Sequence, residues 1–581
     1  MLHSSMNQQF TTDYSSLVME NDFSFHTCKL EVNVMKNRYK NILPYDHSRV
    51  VLNLQDKLAG TDYINASFID GYNERKAYIA CQGPIASTMA EFWRMIWEQN
   101  VTAIVMVTNL VEEGKPKCQK YWPDAVNSSC TYGNISVTLQ KEEVLAEYSI
   151  RTLAVKMIEA SSEAKSVNLE VQHFHFTVWP DHGVPKYPTA LLSFQKRVNK
   201  HHKCKRGSPL VVHCSAGVGR TGTFITIDME LQRIKHEGIV DAYNTVHKLR
   251  FRRNFTVQTL AQYVFIFDAL MESIMCGDNS IAAPAKSAKL RLEELAKVNP
   301  ATRLSGYESQ FRKLQAASPN ESDFQYISAN LPENRHKNRS MKRLPPDNSR
   351  VFINTSGYNS DYICASYIDG YRHRRAFLAA EGPMNSTMID FWTMVWERRS
   401  HAIVMLNSLE ENGKEVSAKY WPDKGETMKI GPFVIETTTE SKADKYFVRR
   451  IMQVTHAKES TPRTINQFQY LCWPDHSCPS EASSIMDMVE IIETVQRRSK
   501  NGPITVHCSD GLGRTGSFCA LMLCHDRFKT EHMADVFYAI KTMRAQHPGM
   551  VENTAQYEFI HKTLKETIDR LDTYSNFDNQ S

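Results

Sequence analysis

Two short apolar runs, Leu210-Val-Val212 and Ile504-Thr-Val506, each lead into a His-Cys pair and a glycine-containing loop. The pattern predicts a buried strand feeding a tight turn and then a helix, twice. A further run, Ala103-Ile-Val-Met-Val107, and an alternating one, Phe174-His-Phe-Thr-Val178, predict more strands. The segments near 221–236, 240–250 and 259–275 predict helices. Strands mixed with helices point to an α/β (α+β) fold, a twisted mixed sheet flanked by helices. No run approaches the ~20 apolar residues that cross a bilayer, and Met1-Leu-His-Ser-Ser5 lacks a signal-peptide pattern. The chain is therefore expected to be soluble as given, with membrane attachment only through a span outside this sequence.

The same pattern repeats along the chain. Lys36-Asn-Arg-Tyr39 recurs as Lys337-Asn-Arg-Ser340, and Asp62-Tyr-Ile-Asn-Ala-Ser67 as Asp361-Tyr-Ile-Cys-Ala-Ser366. Phe92-Trp-Arg-Met-Ile-Trp-Glu98 recurs as Phe391-Trp-Thr-Met-Val-Trp-Glu397, and Trp179-Pro-Asp181 as Trp473-Pro-Asp475. Cys214 and Cys508 stand as far apart as Asp181 and Asp475, so both copies keep their internal spacing. At 581 residues, length alone suggests about four domains; the repeat replaces that with two large ones. The expected division is a lead-in over 1–30, a first domain over 31–276 and a turn-rich linker over 277–285. A second domain over 286–570 and a polar tail over 571–581 follow.

Charge and cysteine usage narrow the function. A net charge of +5 over the whole chain carries no bulk nucleic-acid signature. Thirteen cysteines without paired CxxC spacing suggest neither a zinc site nor a disulfide framework. Two of them lie in the loops, where a disulfide would abolish their chemistry, so a reducing, cytoplasmic setting is expected. No metal and no cofactor is expected.

The first loop, His213-Cys-Ser-Ala-Gly-Val-Gly-Arg-Thr-Gly222, has the parts needed to hydrolyse a phosphate ester through a covalent intermediate. Cys214 is the candidate nucleophile, because a thiol at a helix N-terminus beside an arginine has its pKa drawn down from ~8.5. The amides of Ser215, Ala216, Gly217, Val218, Gly219 and Arg220 are expected to cradle the phosphate oxygens. Arg220 would grip two of those oxygens at once, which lysine cannot do. The hydroxyl of Thr221 or Ser215 would donate to the thiolate. Asp181, between proline and glycine in a loop able to close, is the candidate general acid. Taken singly each has a plainer reading: a core cysteine, a surface arginine, a turn aspartate. Their joint occurrence argues otherwise.

In this order and company, the motifs resemble the intracellular region of receptor-type protein tyrosine phosphatases with tandem domains. The wording of Asn41-Ile-Leu-Pro-Tyr-Asp-His-Ser-Arg49 is most similar to the alpha/epsilon subgroup, with the leukocyte-common-antigen type second. The resemblance implies hydrolysis of phosphotyrosine in proteins through phosphocysteine. It further implies that Tyr39 stacks on the substrate ring and that Gln258, helped by Gln262, positions the hydrolytic water. Glu112 and Lys117 would support Arg220 and Asp181. The rival readings are a phosphotyrosine-binding pseudophosphatase scaffold and a lipid or dual-specificity phosphatase.

The second copy departs at four positions. Asp510 replaces Ala216, Glu552 replaces Gln258, Ser340 replaces Tyr39 and Val416 replaces Lys117. A carboxylate ~4 Å from a phosphate charge is repelled by about 4 kcal/mol at an effective dielectric near 20, or about three decades in rate, and it would raise the pKa of Cys508. Cys508, Arg514 and Asp475 remain, so the fold and loop are expected to persist, while the four replacements point to a catalytically weak or silent second domain that serves binding or regulation. Tyr574, with Asn two residues later, resembles a docking site for an SH2 adaptor once phosphorylated. The inner face of the plasma membrane is a further expected location, reached through a span outside this chain.

Overall fold

The computed structural model describes residues 2–17, 23–55, 58–158, 168–202, 207–354, 360–442, 445–499 and 502–578. The chain divides into two compact units, residues 1–277 and 278–581. Among the described residues, each unit is built on a nine-stranded mixed sheet with the same strand order. In the first unit that order is Arg49–Val51, Tyr63–Ile69, Tyr78–Cys81, Leu210–His213, Ala103–Met106, Asn168–Phe176, Tyr148–Met157, Ile135–Val144 and Ser129–Tyr132. The middle four strands run parallel and the outer ones antiparallel.

Parallel strands covered on both faces read as unbroken apolar runs, and Leu210–His213 is buried throughout. The alternation in 174–178 has a different cause. Its histidine does not face solvent: His175 is buried and donates to the Thr108 carbonyl (2.9 Å), and the preceding His173 is buried against the Tyr121 hydroxyl (2.8 Å), while Thr177 is half-buried. The repeated Phe-Trp-x-Met-x-Trp-Glu segments are the helices Met89–Glu98 and Met388–Glu397, which insert an indole into each core. Trp93 and Trp392 donate to the carbonyls of Tyr121 (2.9 Å) and Tyr420 (3.0 Å).

The three helices expected after the first loop are Gly219–Glu237, Ala242–Arg252 and Leu260–Cys276. A helix, Leu2–Ser16, occupies part of the lead-in. Part of the linker belongs to the second unit's secondary structure: Ile281–Ala282 pairs antiparallel with Met533–Ala534. The last helix, Thr554–Asp578, continues through the segment read as a tail, and the side chain of Tyr574 lies outside the described residues. In both units the loop with cysteine and arginine emerges from the carboxyl end of a central parallel strand, where open α/β sheets place ligand crevices.

Candidate active site

The first loop wraps around the sulfur of Cys214, which is 5% exposed. Gly217, at φ 73°, points its N–H at that sulfur from 3.2 Å. A β-carbon at Gly217 would stand 2.0 Å from the Cys81 carbonyl oxygen, so no other residue fits this turn. Val218 ends the loop, its carbonyl accepting from Gly222 (2.9 Å) and Val257 (3.1 Å). His213 beneath the loop is fully buried, and burial pushes its imidazole down to about 4, so it is neutral at pH 7.

Arg220 is fixed by two parallel bonds to the buried carboxylate of Glu112, at 2.5 and 2.9 Å. Burial alone would raise the Glu112 carboxyl, but the arginine and the Asn109 and Thr108 donors outweigh it and hold it below the usual range. Arg220 also donates to the backbone carbonyls of Pro180 (3.2 Å) and Asp181 (3.4 Å), tying the Trp-Pro-Asp loop to the cradle. The Asp181 carboxylate accepts the Glu113 N–H at 3.1 Å. Gln258 donates its backbone N–H to the side chain of Gln262 (2.9 Å), whose amide lies against Gly219. Cys214, Arg220, Glu112, Asp181, Gln258 and Gln262, with Tyr39, Lys117 and Ala216, line one cavity of about 400 Å³.

Two expectations about hydroxyls fail. Ser215 is bonded to the Tyr39 hydroxyl (2.8 Å), at the cavity wall and not at the sulfur. Thr221 is buried with no hydrogen-bond partner for its hydroxyl. Lys117 lines the cavity, yet the donor to Asp181 is the backbone of Glu113. Arg253, fully buried, went unread in the sequence. It braces the loop from behind, donating to the carbonyls of Gly217 (2.7 Å) and Ala216 (3.1 Å) and to Asn65 (2.8 Å) and Ser67 (3.3 Å).

The second unit keeps the frame. Arg514 is paired with Glu411 at 2.6 and 3.0 Å, and Thr515 donates to the Cys508 sulfur at 3.2 Å. The chain matches the protein-tyrosine phosphatase family twice, over residues 33–272 and 334–566. The chain belongs to the protein-tyrosine phosphatase family. It is 43% identical over 549 residues to receptor-type tyrosine-protein phosphatase alpha of Homo sapiens, covering 94% of this chain and 67% of that protein. It is 42% identical over 570 residues to receptor-type tyrosine-protein phosphatase F of Bos taurus, covering 98% of this chain but 29% of that protein. Tyrosine-protein phosphatase Lar of Drosophila melanogaster is 40% identical over 578 residues, 99% of this chain and 28% of its own length. These identities support tandem receptor-type relatives without separating the subgroups.

In the second phosphatase domain the cradle is filled by its own side chains. Asp510 accepts from the Leu512 N–H (3.1 Å) and faces the Cys508 sulfur at 3.2 Å. Burial first, and Asp510 second, push the Cys508 thiol up to about 11. Arg343, at the position of Ile42, bridges Asp510 (2.7 Å) and Glu552. The carboxylate of Asp475 is itself on Arg514, at 3.1 Å. Behind the loop, His547 replaces Arg253, Cys364 replaces Asn65 and Glu381 replaces Gln82. The bracing cation is thus gone, and the hydroxyl of Ser366, counterpart of Ser67, is buried without a partner.

Proposed function

We propose that the first domain hydrolyses phosphotyrosine in proteins through phosphocysteine. The observation that carries this reading is the convergence of Cys214, Arg220, Asp181, Gln258 and Tyr39 on one cavity. The Cys214 sulfur attacks phosphorus, while the loop amides and Arg220, aimed by Glu112, neutralise the charge that builds on the equatorial oxygens. The bond to the tyrosine oxygen breaks, and Asp181 protonates the leaving phenolate. Water oriented by Gln258 then attacks phosphorus, the P–S bond breaks and Asp181 takes the proton, releasing phosphate. Tyr39, held by Ser215, forms a wall deep enough for an aryl phosphate and unfavourable to shorter phosphoserine.

The second domain serves binding or regulation, with little turnover, because Asp510 and Glu552 set carboxylates where a phosphate would sit. The chain spans 29% of the receptor-type relative F. Attachment to the inner face of a membrane through a segment outside this chain, and adaptor docking at Tyr574, belong to the same proposal. In the full chain, Cys214→Ser should abolish hydrolysis of an aryl phosphate while Cys508→Ser leaves it within about twofold. Activity surviving in Cys214→Ser would overturn the assignment. Asp181→Ala should retain phosphotyrosine proteins on the enzyme, which gives a direct way to identify substrates.

A further inference from the structure

The segment carrying Gln258 follows an unusual backbone course. Phe255 and Val257 both have φ of 59°, a region that residues with a β-carbon, and β-branched ones above all, adopt reluctantly. Such a segment keeps its course only where neighbours hold its polar groups. Arg250 donates to the carbonyls of Thr256 (3.0 Å) and Val257 (2.9 Å). Another donor comes from far away in sequence. The hydroxyl of Tyr14, on the helix Leu2–Ser16, donates to the same Val257 carbonyl at 3.2 Å. Arg250 reaches back to the Leu17 carbonyl (2.5 Å), and its guanidinium lies 5.3 Å from the Tyr14 ring centre. The helix is seated by further contacts: Phe10 packs on Tyr263 and Phe267, and Ser16 bonds the Tyr243 hydroxyl at 2.9 Å.

The second domain repeats the arginine's hold on this segment without the tyrosine hydroxyl. Arg544 holds the carbonyls of Met550 (2.9 Å) and Val551 (2.7 Å), and Val551 again has a positive φ, 61°. The ring under Arg544, at 5.4 Å, is Phe311, which has no hydroxyl. Of the two matched segments, the one that receives a tyrosine hydroxyl is the one continuing into Gln258; the other continues into Glu552.

We propose that Tyr14 is a positioning residue for the hydrolytic half of the reaction. By holding the Val257 carbonyl it fixes the start of the Gln258 segment, and through Gln258 the water that attacks phosphocysteine. This rests on the role given to Gln258 above. Tyr14 touches none of the reacting atoms. Formation of the S–P bond, which uses Cys214, Arg220 and Asp181, does not depend on it. Its loss slows only the step in which the water oxygen bonds phosphorus and the P–S bond breaks.

The test is Tyr14→Phe in the full chain, with 4-nitrophenyl phosphate followed by stopped flow. The worth of one hydrogen bond predicts a fall in kcat of about fivefold, with kcat/KM within about twofold of wild type. A burst of nitrophenol equal to the enzyme concentration should accompany it. Gln258→Ala, run in parallel, should show the same signature more strongly. No burst in Gln258→Ala means that the water-positioning role itself fails. A burst there, with wild-type kinetics in Tyr14→Phe, overturns the role of Tyr14 alone. A parallel fall of kcat and kcat/KM in Tyr14→Phe, without a burst, marks general damage to the domain and also overturns it.

Discussion

Replacing Asp510 by asparagine should restore reactivity to a sulfur that the second domain keeps protonated. The Cys508 thiol lies at about 11, against an ordinary 9.0, with burial the larger cause and Asp510 the next. That rise corresponds to about 3 kcal/mol. A full thiolate–carboxylate repulsion at 3.2 Å would be about 5 kcal/mol at an effective dielectric near 20. The Arg514 and Thr515 contacts, which pull the thiol the other way, account for part of the difference. Because burial persists in the variant, only part of that rise is expected to return. The variant holds more thiolate at a given pH, but a less basic thiolate is also a poorer nucleophile, so each tenfold gain in thiolate raises the labelling rate only about threefold. The assay is iodoacetamide labelling of Cys508 across pH 7–10 in a Cys214→Ser background, read by mass spectrometry of the Cys508 peptide. An unchanged pH profile in Asp510→Asn would refute the electrostatic account and leave burial as the whole cause.

Glu381→Gln should stabilise the second domain at neutral pH and do nothing in acid. Burial first, with Asp510 adding, pushes the Glu381 carboxyl up to about 7, so the folded state holds a proton the unfolded state has released. Stability from that proton is present below about pH 4.5 and lost as pH rises to about 7, by about 3 kcal/mol; melting curves at pH 4.5 and 8 decide it. Glutamine preserves the acceptor for the Arg339 N–H, as Gln82 does for Arg38 at 2.8 Å. Arg253→Met should cost about 3 kcal/mol by leaving buried acceptors unpaired, and denaturant unfolding measures it; a change under about 1 kcal/mol would contradict the bracing role. Glu112→Gln should lower kcat/KM about a hundredfold by letting Arg220 drift, with the domain still folded by circular dichroism.

The parts legible in the sequence are those whose chemistry is contiguous. The cysteine–arginine loop, its feeding strand and its helix lie within 210–237, and sheet topology places them without altering them. The acid motif was legible because the chain repeats Trp-Pro-Asp, whereas Gln258, replaced by Glu552 in the second copy, was legible only through the family resemblance. Arg253 was not, because Leu-Arg-Phe-Arg-Arg-Asn reads as a basic surface stretch until the fold turns one of its arginines under the loop. Arg343 was missed for a related reason: an arginine among lysines and prolines looks solvated, and its two carboxylate partners come from segments over a hundred residues away. The hydroxyl assignments failed because a hydroxyl on a turn can face either way, and Tyr39 competes for Ser215.

The carboxylate that lies inside the second cradle also bears on how such a domain can change over time. Asp510 and Glu552 share Arg343, so a change at any one of the three shifts the charge balance of the others. Reverting Asp510 to alanine alone leaves Arg343 on Glu552, leaves Ser340 where an aromatic wall is needed and leaves His547 where the loop wants a cation. The three-residue cluster is therefore a unit, and refitting this cradle for a phosphate takes coordinated substitutions rather than one.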